Sequence, residues 1–223
     1  MSYTMKEMTN EARAESSSLE LCHARRNCDE IEMTNNPQQI AACGLDDEKE
    51  MRLELATQND FDAIITFYDD VTERTPEMAT YARWSKGKHP TIEGIRAYID
   101  EGSMYIYHER GVIVGAMAVT MYQGEDYHAI DWTLKVPDEK VAVIHILAVN
   151  PDSQGKGIGS EMVNVAIRMV KSKGMQAIRL DALASNTPAH KLYERLGFEY
   201  RGKQHLYAEN TGWTDFYFFE LKQ

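Results

Sequence analysis

The nine residues Val141 to Val149 (VAVIHILAV) constrain this chain more than any other stretch, because all of them except His145 are apolar. A strand with apolar side chains at both alternating positions is buried on both faces, so it belongs inside a sheet covered from each side. The run passes directly into Asn150-Pro151-Asp152-Ser153-Gln154-Gly155-Lys156-Gly157-Ile158-Gly159-Ser160. A helix then follows from Ile158 to Lys173. Met162, Val163, Ala166, Ile167, Met169 and Val170 form its apolar face, and Glu161, Asn164, Arg168 and Lys171 its polar one. Buried strand, glycine-rich turn and amphipathic helix in this order place backbone N–H groups and the positive end of a helix dipole around one point. Main-chain binding of a pyrophosphate is the chemistry such a turn serves, a plain tight connection being the alternative for the loop alone. GxxxxGK[ST] is absent, which excludes a Walker loop, and the G-K-G-I-G spacing deep in the chain does not suit a dinucleotide fingerprint.

The elements around this unit alternate. Met51 to Leu55 reads as a half-buried strand, Asp60 to Val71 as a helix capped by Thr57 or Asn59, and Pro76 to Trp84 and Thr91 to Asp100 as two further helices. Met104 to Tyr107 and Val112 to Met121 form a hairpin across Glu109-Arg110-Gly111. Tyr122 to Lys140 is polar and irregular, with a short strand expected at Ala129 to Leu134. After the helix come a strand at Ala177 to Leu183, a helix at Pro188 to Leu196, and strands at Phe198 to Leu206 and Trp213 to Leu221. The pattern predicts an α/β (α+β) domain, a mixed sheet flanked by helices, over residues 51–223.

Charge separates the first fifth from the rest. Met1 to Glu50 holds five basic and eleven acidic residues, a net −6 of the chain's −11, and its only aromatic residue is Tyr3. An acidic extension, helical or partly disordered, is expected over residues 1–50. The acidic balance argues against nucleic acid as a partner, since phosphate neutralisation needs clustered Lys and Arg. No apolar run approaches the roughly 20 residues of a membrane span, and no signal segment opens the chain, so a cytoplasmic protein is expected. The odd set Cys22, Cys28 and Cys43 fits reduced thiols, and Cys22-His23-Cys28 lacks the spacing and the fourth ligand of a zinc site.

Two motifs together carry a resemblance. Gln154-Gly155-Lys156-Gly157-Ile158-Gly159 matches the Gln/Arg-x-x-Gly-x-Gly/Ala loop with which the GNAT superfamily of N-acetyltransferases grips the pyrophosphate of acetyl-CoA. Downstream, Asn186-Thr187-Pro188-Ala189-His190-Lys191-Leu192-Tyr193-Glu194-Arg195-Leu196-Gly197-Phe198 resembles that superfamily's N-x-x-A-x-x-x-Y-x-x-x-G-F helix. The resemblance runs from Met51 to Leu221. It implies a central, mostly antiparallel sheet, acetyl-CoA as cofactor with CoA as product, and direct attack of an amine on the thioester through a tetrahedral oxyanion.

Residue roles follow from the resemblance. Leu147, Ala148 and Val149 would hold the pantetheine arm by their backbone, with the Leu147 amide facing the carbonyl oxygen. Gln154, Gly155, Lys156, Gly157, Ile158, Gly159 and Ser160 would bind the pyrophosphate. Asn186, Ala189 and Tyr193 would complete the cofactor site, Tyr193 as general acid to the leaving thiolate. Many relatives carry a glutamate base on the strand before the loop. Here that strand has only His145, expected on the same face as Leu147 and Val149; Asp131, His128 and Glu125 are the alternatives. Core packing is the competing account of His145 and Tyr193, and helix capping that of Asn186.

The resemblance implies that the acceptor is a primary amine of a small molecule or peptide, to be met by the segments Thr72 to Pro90 and Tyr122 to Lys140. These carry Tyr81, Trp84, Tyr122, Tyr127 and Trp132 with Glu125, Asp126 and Asp131. A non-catalytic acyl-CoA-binding module is the alternative function, and the apolar last strands suggest a homodimer.

Overall fold

The computed structural model describes residues 51–223; the expected acidic extension and all three cysteines lie outside the described residues. Among the described residues a single mixed sheet of seven strands runs in the order β1-β2-β3-β4-β5-β7-β6. Its strands are β1 (Glu54–Leu55), β2 (Met104–Glu109), β3 (Val112–Thr120), β4 (Val141–Val149), β5 (Ala177–Leu183), β6 (Glu199–Ala208) and β7 (Gly212–Lys222). Every neighbouring pair is antiparallel except β4 and β5, which are parallel. The helices are α1 (Phe61–Arg74), α2 (Met78–Tyr81), α3 (Ile92–Glu101), α4 (Ile158–Ser172) and α5 (Thr187–Arg195). None of the described helices is long and apolar enough to cross a membrane.

Local chemistry sets most of these boundaries. Thr57 and Asp60 close a reciprocal capping box, with the Thr57 amide and hydroxyl both donating to Asp60 Oδ2 at 2.8 Å, and α1 starts one residue later. Thr91 caps α3 by accepting from the Gly94 amide. The β2–β3 hairpin turns on Arg110 (φ 52°) and Gly111 (φ 79°), the two left-handed residues of a type I′ turn.

Three expectations change, the helix expected over Pro76 to Trp84 narrowing to Met78–Tyr81. The first strand shrinks from Met51–Leu55 to Glu54–Leu55. No strand forms at Ala129 to Leu134, because the backbone there bonds to a buried carboxylate instead of a ladder. Glu220 Oε2 accepts from the amides of Thr133 (3.0 Å) and Leu134 (3.3 Å). Glu220 Oε1 meanwhile pairs with Arg179 Nη2 at 2.9 Å, and neither side chain is more than 1% exposed. Arg179 also donates to the Leu134 carbonyl at 2.7 Å and to Gln123, and lies 4.1 Å over the Trp132 ring. The polar segment 122–140 is therefore riveted to β5 and β7 by one charge pair whose hydrogen-bonding capacity is largely satisfied.

Both sheet faces are covered. On one, α4 and Tyr193 of α5 pack over Tyr105, Met117, Val119, Ala142, Ile144, Ile178, Leu180 and Phe219. On the other, α1 and α3 pack over Met104, Ile106, Ala116, Ala118 and Ala148, and Tyr127, Ile130 and Trp132 cover Val141, Val143 and Phe218. Glu220→Ala would leave the Arg179 guanidinium buried without its counter-charge, so we expect a loss of about 3–5 kcal/mol in urea unfolding. A loss under about 1 kcal/mol would mean that packing alone holds this segment.

Candidate active site

The site is made by two strands that part. β4 and β5 pair only over Val141–Ala177, Ala142–Ile178 and Val143–Arg179. Beyond Arg179, β5 continues to pair with β7 as far as Leu183, and β4 continues to pair with β3 as far as Val149. From Ile144 onward the edge of β4 that faces β5 has no strand beside it, which leaves backbone groups there outside any ladder, although the Val149 carbonyl accepts from Gln154 Nε2.

A bulge in β4 sets which side chains reach this opening. Ala118 lies opposite His145 and Ala116 opposite Ala148, so three steps on β4 match two on β3. Ile146 takes up the extra residue with φ 45°, and its carbonyl accepts from the Tyr68 hydroxyl of α1 at 2.8 Å. Alternation is thereby reset. Ile144, Leu147 and Val149 pack on the α4 face, whereas Ile146 and Ala148 pack on the α1/α3 face. His145 stacks on Tyr98 of α3 with ring centroids 5.6 Å apart, and so lies on the α1/α3 face. The expected shared face of His145 with Leu147 and Val149 is thus corrected: unbroken alternation would give it, and the bulge removes it.

Where β4 ends, a 3-10 turn at Pro151–Ser153 leads into the glycine loop. Gly155 (φ 75°) and Gly157 (φ 84°) are left-handed, a backbone that a Cβ would strain, and both are exposed. Gly157 immediately precedes the first residue of α4. Gly159 is a different case, since a Cβ there would make only ordinary contact with Val149 (3.5 Å) and Leu192 (3.8 Å). Gln154 Nε2 donates to the Val149 carbonyl (3.0 Å) and to Thr75 (3.2 Å), and Lys156 Nζ to the Asp152 carbonyl (2.8 Å). Arg74 of α1 pairs with Asp152 at 2.6 Å. The side chains of Gln154 and Lys156 thus brace the loop, which leaves the main chain to face a ligand. Ile158 is buried and Ser160 half-buried in the first turn of α4.

Tyr193 of α5 is buried against Phe198 and Phe219, in the same core cluster as Ile158, a cluster on which Leu147, Val149 and Ala189 also pack. Burial first, and the Asp181 carboxylate second, hold its hydroxyl well above the ordinary phenol range, so it stays protonated at neutral pH. Asn186 accepts from the Ala189 amide at 3.3 Å and caps α5, the competing account of this residue. Ile158 and Tyr193 thus belong to the core cluster on the α4 face and Leu147, Val149 and Ala189 pack on it, whereas His145 lies across the sheet. Asp131 pairs with Lys135 at 2.6 Å, and His128 with Asp138 at 2.9 Å, both as exposed surface pairs.

Burial pushes the His145 imidazole below its ordinary value, and the Asp181 and Glu101 carboxylates draw it partly back. Thr120 Oγ1 donates to the Tyr122 carbonyl (2.9 Å) and lies 3.3 Å from His145 Nε2. A hydroxyl has one proton to give, so in neutral His145 this network puts the hydrogen on Nε2 and the lone pair on Nδ1.

Asp181, absent from the expected site, sits on β5 just past the parting and accepts from the buried Tyr127 hydroxyl at 2.6 Å. The signal was legible: AIRLDAL is a core strand with two charges on one face, Arg179 and Asp181. Only the first finds a partner charge within the fold among the described residues.

Comparison with known proteins follows this geometry. Residues 52–198 match the model of the acetyltransferase (GNAT) family. An uncharacterized N-acetyltransferase of Methanocaldococcus jannaschii is 32% identical over 100 residues, which cover 45% of this chain and 40% of that protein. The chain spans less than half the length of the curated relatives it matches. A GNAT-family acetyltransferase from Streptococcus agalactiae superposes with a TM-score of 0.64 at 20% identity, over 78% of this chain and 95% of that one. A Salmonella typhimurium protein solved with its cofactor acetyl-CoA superposes with a TM-score of 0.56 at 18% identity, over 77% and 93%.

The electrostatics give a direct check. His145 should titrate below 6.5 when followed by NMR. Asp181→Asn should lower it further, because removing that charge removes part of what supports the imidazolium. A titration above 6.5, or a rise in the variant, would contradict this arrangement.

Proposed function

Since the chain belongs to the GNAT acetyltransferase family, we propose that it transfers the acetyl group of acetyl-CoA directly to a primary amine of a small molecule or peptide. The observation that carries this reading is the open edge of β4 running into the left-handed glycines Gly155 and Gly157, with the protonated Tyr193 in the core cluster on which Leu147 and Val149 pack.

The residues present fit the cofactor. Main-chain amides of the glycine loop at the start of α4 suit a pyrophosphate, and the edge of β4 that no strand covers beyond Val143 suits an extended amide-bearing arm that adds as a strand would. Acetyl-CoA supplies an activated thioester. The Leu147 amide lies on the segment that would hold the acyl carbonyl, where one preorganised donor is worth roughly 3–4 kcal/mol of barrier. Tyr193 keeps its proton and presents it as the sulfur leaves. His145, neutral at physiological pH, accepts the proton that the amine must lose. Because it lies on the α1/α3 face, this reading has the amine enter from that side and meet the thioester in the gap between β4 and β5. The acidic extension over residues 1–50 stays in the proposal as an appendage separate from the 51–223 domain.

Thermal unfolding should rise by several degrees with acetyl-CoA or CoA at about 100 times Kd, a stabilisation near 2.7 kcal/mol, and not with ATP or NAD. No shift with either CoA species would remove the foundation of this reading. Tyr193→Phe should lower kcat for thiol release roughly 10²- to 10⁴-fold while acetyl-CoA still binds. An unchanged rate would take Tyr193 out of the chemistry. The kcat/KM profile should be flat from pH 7 to 8 and fall below about pH 6.5, where the lowered His145 imidazole gains its proton. His145→Ala should abolish that acid limb.

A further inference from the structure

Around Asp181 five separate elements converge. His89 comes from the turn between α2 and α3, Tyr98 from α3, Tyr127 from the segment before β4, His145 from β4 and Tyr193 from α5. The Asp181 carboxylate acts on every one of them. Burial lowers both histidines and raises the three tyrosines, Tyr98 to about 12, so all five are neutral at physiological pH. Glu101, at the end of α3, is the second carboxylate that acts on Tyr98 and His145. Arg179 couples to Tyr127, but its charge is already met by Glu220 at 2.9 Å.

The contrast within β5 sharpens the point. Arg179 and Asp181 point to the same side of the strand, and the arginine is fully compensated by Glu220 at 2.9 Å. Asp181 is half-buried. Its recorded hydrogen bond uses Oδ1, to Tyr127, and among the described residues it has no ion pair. A carboxylate drawn out of water without a counter-charge is costly, and the cost falls when a ligand brings the cation.

We infer that Asp181 is the anionic anchor of the acceptor subsite, and that the acceptor is taken up as a cationic amine paired with its carboxylate. This rests on the acetyltransferase reading and names the substrate class of that same site. Tyr127 is a positioning residue here, fixing one carboxylate oxygen so that the other can meet the ligand. Neutral His145, on the same face, is placed to take one proton from the bound ammonium. That transfer leaves imidazolium and a free amine lone pair.

The test uses the full chain saturated with CoA and two probes that differ only in charge: tyramine, an ammonium, and tyrosol, which has a hydroxyl in its place. Calorimetric titration should find tyramine bound about tenfold more tightly than tyrosol, as one partly desolvated charge pair would give. Asp181→Asn, which can still accept from Tyr127, should bring the two within about twofold, with CoA affinity unchanged. Asp181→Ala serves equally should the asparagine variant not fold. A preference that survives the substitution, or that is absent from the wild type, overturns the inference. Failure of CoA itself to bind would sink the acetyltransferase reading instead, while the tyramine-to-tyrosol ratio would still report on Asp181.

Discussion

Parallel pairing between β4 and β5 stops after three residue pairs, and the rest of the molecule is arranged around that stop. Hydrogen-bonding groups of a central strand are ordinarily consumed on both sides. Here one side of β4 is released from Ile144 onward without exposing the core, because α4 and α5 close one face and α1, α3 and the 122–140 segment close the other. The bulge at Ile146, held by the Tyr68 hydroxyl, then decides which side chain looks to which face. A backbone irregularity of one residue therefore separates the side chains that look to the α4 face from those that look to the α1/α3 face of a single strand.

Charge is handled in two ways on either side of the parting. At its closed end Arg179 and Glu220 are almost wholly buried and spend their hydrogen bonds on each other, on Gln123 and on the backbone of residues 133 and 134. The effect of that pair is to fix an irregular segment over the sheet. Two residues further along β5, Asp181 meets a phenol in place of a cation. The same strand face thus carries a satisfied charge where the sheet is closed and an unsatisfied one where it opens.

The neutral state of the surrounding groups follows from the same geometry. Desolvation penalises imidazolium and phenolate alike, so the histidines keep their lone pairs and the tyrosines keep their protons. One group able to accept a proton and one able to donate are then present together at neutral pH, on opposite sides of a gap through which the Asp181 carboxylate acts on both.

The sequence by itself determined the element order, β4 and β5 to the residue, and the glycine loop, since each rests on local signals: an unbroken apolar run, a helical apolar stripe, glycines that only a left-handed turn requires. It also supplied the pair of motifs that marks the family. Three things were decided only by the tertiary structure. The expected strand at Ala129 to Leu134 dissolved because a carboxylate nearly 90 residues away takes its amides. His145 changed face because a bulge depends on how two strands register, which no residue of VAVIHILAV announces. Asp181 became part of the site because its meaning lies in the missing counter-charge, and whether a charge is compensated depends on which distant side chains the fold brings within reach.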